Sequence, residues 1–302
     1  MIFSINKNIK FSNFYKKLNF FSLIFIILSL IILFTKGLNL GVDFKGGTLI
    51  EVRTENTTSN IKDIRKSLLR MNLGDVTVKN FGEKSDYLIR IEATNNSDEN
   101  FINSVKEQLN KDLGYDVNFR RVENVGPKVS NELLQAGLLA ISLSLAAMLF
   151  YIWIRFEWQF SIGAIIALVH DVIITMGIFS ILSYEINLSI VAAVLTIVGY
   201  SMNDTVVIFD RIRENLRKYS KISITEIANI STNETLSRTL VTSVTTLLAL
   251  FSIYIFGGAI LKGFSFAMII GVVVGTFSSI FVAAPILKYT KVTQKSILKE
   301  EN

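Results

Sequence analysis

Apolar residues along this chain gather into six long runs, at 20–34, 134–154, 160–182, 186–209, 239–256 and 263–287, with polar stretches between them. A helix rising 1.5 Å per residue needs about 20 mostly apolar residues to cross the hydrocarbon of a bilayer. The later runs meet that requirement. The first reaches it when Leu18 and Thr35 are included and Lys36 snorkels to the interface. The pattern therefore predicts an α-helical polytopic membrane protein with six transmembrane helices.

The stretch 36–131 has a different period. It predicts strand 48–53, helix 60–71, strand 76–81, strand 87–92, helix 99–111 and strand 116–125. Val76, Val78 and Asn80 alternate with polar neighbours, as a half-buried strand requires, while Ile61, Ile64, Leu68 and Leu69 form a helical stripe. The order βαββαβ is that of an α+β ferredoxin-like domain. Gly126-Pro127 closes it. The predicted organisation is an N-terminal segment 1–19, a first membrane helix 20–35, the soluble domain 36–131, five further helices within 132–288 that include a basic loop 210–236, and a tail 289–302. Asn56-Thr57-Thr58 matches an N-glycosylation acceptor but carries little weight without a secretory context.

Composition agrees with a membrane location. Of 302 residues 50% are hydrophobic and 19% charged, against about 25% charged in soluble domains, and the mean hydropathy is +0.46. With no Cys and one His, a disulfide framework and a cysteine-ligated metal are excluded and a catalytic metal has little support. The net charge of +6 would suit a nucleic-acid binder, but its placement argues otherwise. Residues 35–131 hold 15 Lys or Arg and 14 Asp or Glu, a balance of only +1. The excess lies in the termini and inner loops: Lys7, Lys10, Lys16 and Lys17 before the first run, Arg211, Arg213, Arg217, Lys218 and Lys221 after the fourth, and Lys288, Lys291, Lys295 and Lys299 in the tail. By the positive-inside rule both termini are cytoplasmic and 36–131 lies outside, with only Lys262 dissenting. A signal peptide is the competing reading of run one. No small-x-small cleavage site follows it, so an uncleaved anchor is expected.

Ionisable residues within the runs are expensive and point to function. Asp204, next to Asn203, lies about five residues from the inner end of run four, and Arg238 opens run five from the same side. Two readings are open. The pair exchanges charge with protons and couples proton flow to conformation, or it pins two helices. His170, the only histidine, and Asp171 lie mid-way along run three and read as a hydrogen-bonded structural pair more readily than as a relay. The small-xxx-small face Gly271, Gly275 and Ser279 predicts close helix packing. Residues 210–217 read as a solvated helix on the inner surface.

Several chemistries are missing. The segment 41–48 (GVDFKGGT) lacks the Lys-Ser/Thr ending of a phosphate loop. The Gly-x-Gly-Asp signature of intramembrane aspartyl proteases is absent before Asp204. Nothing supports a catalytic residue, so a non-enzyme is expected.

Five segments carry a resemblance: 41–48 (GVDFKGGT), 167–172 (ALVHDV), 198–207 (VGYSMNDTVV) followed by 209–215 (FDRIREN), 233–239 (NETLSRT) and 275–280 (GTFSSI). Together they resemble the SecD/SecF family of bacterial protein-export membrane proteins, relatives of the RND transporters, and specifically its smaller half. Met202 stands where that family's motif more often has Ile, a tolerated exchange. The resemblance implies a multi-pass protein of the bacterial inner membrane with a periplasmic domain between its first two helices. It also implies a SecD partner, work alongside the SecYEG translocon and its accessory subunits on exported preproteins, and no nucleic acid. It implies no cofactor, the proton-motive force being the energy source, and gives Asp204 and Arg238 the coupling role. Half of an RND-type small-molecule exporter and a non-energised scaffold of the translocon remain as alternatives.

Overall fold

The computed structural model describes residues 9–54, 60–80, 85–92, 99–219 and 221–294. The glycosylation match at 56–58, the strand end at Phe81, and Lys7, Lys295 and Lys299 lie outside them. In chain order the elements are α1 (Ser12–Thr35), β1 (Asn39–Leu40), α2 (Val42–Lys45), β2 (Gly47–Thr54), α3 (Ile61–Leu69), β3 (Val76–Asn80), β4 (Asp86–Ile91), α4 (Glu99–Leu113), β5 (Val117–Val125), α5 (Pro127–Arg155), α6 (Trp158–Leu182), β6 (Glu185–Ile186), α7 (Leu188–Lys218), α8 (Ile224–Phe256), α9 (Gly258–Ser278), a π-helical turn (Ser279–Ala283) and α10 (Ala284–Tyr289). The chain divides into two compact units, one of 1–39, 140–184 and 189–302, the other of 40–139 and 185–188.

The smaller unit is built on an antiparallel sheet of order β3-β4-β2-β5. Ile50 on β2 pairs with Ile89 on β4, which pairs in turn with Val78 on β3, so one parity of each strand faces the same side. There the strands meet Ile64 and Leu68 of α3 and Val105 and Leu109 of α4, all buried. Burying an aliphatic side chain is worth about 1.5–3 kcal/mol, and this shared core gives the insert its own stability. Ahead of β2, Gly46 and Gly47 have φ of 74° and 118°. Both lie where a Cβ is strained, which accounts for paired glycines at this turn.

Among the described residues six helical rods are long and apolar enough to cross a membrane: α1, α5, α6, α7, α8 and the rod 260–289 that runs from α9 through the π turn into α10. Phe160 and Phe209 lock α6 to α7 edge-to-face at 5.2 Å between ring centroids. The π turn directly precedes Pro285. Proline lacks an N–H and crowds the carbonyl four residues back, and a wider turn relieves that crowding without breaking the rod.

The expected loop at 210–236 is corrected. Helix α7 continues to Lys218 and α8 begins at Ile224, so only about one turn of chain joins them. Ile212, Asn215 and Leu216 are buried, so the segment is not a freely solvated helix. Ser223 caps α8 by accepting the Glu226 N–H at 3.3 Å.

Candidate functional site

Two carboxylates lie deep among the membrane helices, and small hydroxyl residues on α7 and α9 serve both. On α6, Asp171 and His170 are each 1% exposed. Asp171 Oδ1 lies 2.8 Å from His170 Nδ1. Asp171 Oδ2 accepts the Ser278 hydroxyl of α9 at 2.8 Å and the Ser201 hydroxyl of α7 at 2.5 Å. One side chain thus ties three helices. The His170 ring stacks on Phe277 at 6.2 Å, and its Nε2 is buried without a partner among the described residues.

Asp204, three residues beyond Ser201 on α7, is 2% exposed. Its Oδ2 faces the Thr276 hydroxyl of α9 at 3.4 Å, and Thr276 is 2.8 Å from Ser243 of α8. The next residue, Thr205, meets Ser279 at 2.8 Å. A polar string therefore runs from the Asp204 carboxylate on α7 through Thr276 on α9 to Ser243 on α8. The expected meeting of Asp204 with Arg238 takes a different form: Arg238 is exposed, and among the described residues no ion pair joins the two. Arg238 precedes Ser243 by five residues on α8, about 7.5 Å of helix rise. Protonated, Asp204 can donate a hydrogen bond; ionised, it can only accept one. Gain or loss of a proton thus reverses the polarity of its contact with Thr276. Asn203 is exposed and, among the described residues, makes no part of this network.

The glycines set the closeness of α9 and α7. A Cβ on Gly271 would come within 2.2 Å of Ile197 Cγ1, and one on Gly275 within 2.9 Å of Ser201 Cβ. Ser279 also donates to the Gly275 carbonyl at 2.9 Å. Sequence reasoning missed Ser201, Thr205, Ser243, Thr276 and Ser278. The available signal was the repeat of small hydroxyl residues on apolar helices at spacings that share a face with Asp204. Two asparagines of the motif segments turn out to be clamps. Asn233 on α8 holds the backbone of Ile9 at 2.9 and 2.8 Å, and Asn215 on α7 donates to Ser231 at 2.9 Å.

The profile described as "Protein export membrane protein SecD/SecF, C-terminal" matches residues 105–293, and the "SecD/SecF GG Motif" matches 31–58. The chain belongs to the SecD/SecF family. Proteins named protein translocase subunit SecF from Rickettsia bellii and Rickettsia rickettsii are each 47% identical over 280 residues, covering 92% of this chain and 91% and 90% of theirs. The crystal structure of SecDF, a translocon-associated membrane protein from Thermus thermophilus, superposes with a TM-score of 0.87 at 31% identity, over 96% of this chain and 39% of that one. SecDF in its super-membrane-facing form gives 0.71 over 99% and 41%. The chain thus spans about two fifths of the SecDF chains that it matches. Membership of this family and six apolar helices make it an integral membrane protein of the protein-export apparatus. The glycines at 46 and 47, strained for any other residue, fall within the GG motif.

Proposed function

We propose that this chain is a SecF-type subunit that works with a SecD partner beside the SecYEG translocon, using the proton-motive force to drive late steps of preprotein export across the inner membrane. The observation that carries the coupling step is Asp204, a buried carboxylate with a hydroxyl neighbour and no paired cation among the described residues. Arg238, exposed on α8 five residues before Ser243, supplies a fixed positive charge at that end of α8. Both termini are cytoplasmic, and 36–131 is a ferredoxin-like periplasmic domain, a reading supported by its βαββαβ element order and by the sheet order β3-β4-β2-β5. The proposal assigns the chain no catalytic chemistry and no cofactor.

The test is export into inverted membrane vesicles that contain the chain, its SecD partner and the translocon. Asp204→Asn keeps size and hydrogen bonding but removes the titrating group. It should abolish the stimulation of export by the proton gradient while leaving complex assembly and gradient-independent export intact. Preserved stimulation would refute the proposal.

A further inference from the structure

A cleft of about 400 Å³ opens where α1, the first turn of α8 and α10 converge, within the larger unit. Its volume falls in the usual range for small-ligand sites. Lys16 comes from α1 and Lys288 from α10, and among the described residues no carboxylate lines the cleft. Neither ammonium has an ion-pair partner among the described residues. Tyr15 and Asn19 also line it, and among the described residues Tyr15 Oη and Asn19 Oδ1 are buried without hydrogen-bond partners. Buried polar atoms are seldom left unpaired, because each costs about 1–3 kcal/mol. Below them the wall turns apolar, with Leu23 on α1 and Pro285 on α10.

Charge, orphan polar atoms and an apolar wall follow one another in the order that a phospholipid presents them. Lys16 lies one turn before the apolar run of α1 and Lys288 just after that of the last rod, so both stand at the membrane–water boundary. Basic pockets between membrane helices at that level select anionic headgroups. We infer that this cleft binds one anionic glycerophospholipid of the phosphatidylglycerol type. The lysines and the Tyr15 hydroxyl donate to its phosphate, Asn19 lies beside the acylated glycerol just inside it, and an acyl chain descends along Leu23 and Pro285. Zwitterionic phosphatidylcholine brings a cation to the same lysines, so it is discriminated against.

The test uses the purified full chain in neutral detergent, titrated with phosphatidylglycerol, phosphatidylcholine or inorganic phosphate, with bound lipid counted by native mass spectrometry. One phosphatidylglycerol should be retained, with phosphatidylcholine roughly ten-fold weaker. Lys16→Gln with Lys288→Gln should weaken phosphatidylglycerol binding by about 25-fold, about five-fold per lysine near an anionic lipid. Lys17→Gln with Lys291→Gln removes the same charge from residues outside the cleft and should leave binding within about two-fold. Tyr15→Phe alone should cost about three-fold or more and carries the test if the double variant does not fold. Equal losses from both lysine pairs would reduce the site to a diffuse basic surface, equal retention of phosphatidylcholine to an apolar groove, and displacement by equimolar phosphate to a free-anion site. Each of these overturns the inference.

Discussion

Ser278 on α9 donates to Asp171 on α6 at 2.8 Å, while two residues earlier Thr276 faces Asp204 on α7 at 3.4 Å. One turn of α9 therefore touches both buried carboxylates, and α7 does the same through Ser201 and Asp204. Any sliding of α9 against α7 is felt at both acids at once. Hydrogen bonds between membrane helices average only about 0.6 kcal/mol each, so such contacts can be exchanged without unfolding the bundle.

Asp171 should matter for stability. Asp171→Ala leaves the Ser201 and Ser278 hydroxyls without their acceptor and His170 Nδ1 without its partner, and should cost about 3 kcal/mol. Asp171→Asn keeps an acceptor and should cost about 1 kcal/mol. Unfolding midpoints in detergent check the order, and equal midpoints for the two variants would contradict it.

Arg238 has no bidentate partner among the described residues, so its charge rather than its planar fork is what export should need. Arg238→Lys is expected to keep most of the proton-driven stimulation in the vesicle assay and Arg238→Ala to lose it. Equal loss in both variants would mean that the fork engages a carboxylate elsewhere in the complex.

The closeness of α9 and α7 should tolerate no added methyl at residue 271. Gly271→Ala drives a Cβ to within 2.2 Å of Ile197 and should cost about 1–3 kcal/mol. Adding Ile197→Ala should recover part of that loss, because the two sites share one contact. A double variant no more stable than Gly271→Ala would show that the clash lies elsewhere.

Glu185, between α6 and α7, is held above the ordinary carboxylate range, chiefly by burial, with Arg90 and Lys79 pulling the other way. A carboxyl raised on folding favours its protonated form in the native state. Its contribution is complete below the unfolded value of about 4.3 and is lost as pH rises through the folded value. The difference in unfolding midpoint between the parent chain and Glu185→Gln should change across that window, with the parent losing ground as pH rises. A difference independent of pH would refute the assignment.

Much of the architecture was legible in the sequence. Runs of apolar residues and the change of period between 36 and 131 are local properties, and each of the six elements expected in the insert lies within about two residues of its place, while the short β1 and α2 were not expected. The buried acids were also legible, because Asp171 and Asp204 interrupt stretches where charge is costly. Their partners were not. Ser201, Ser278 and Thr276 are ordinary residues in a membrane helix until rotation and register bring them against a carboxylate. The loop at 210–236 was misjudged for a related reason: charges at helical spacing look solvated until Ile212 and Leu216 are seen to be buried beside them.

By itself, then, the sequence determined how many stretches are long and apolar enough to cross a membrane, which stretch carries the shorter alternating periods of strands and helices, and which side chains interrupt the apolar runs, since hydropathy and period act along the chain. Only the tertiary structure decided that Asp171 joins three helices, that Asp204 leans on Thr276 rather than on Arg238, and that two lysines from opposite ends of the chain share a cleft. Those outcomes depend on the rotation of each helix about its axis and on contacts between residues 30 to about 270 positions apart, which no local pattern encodes.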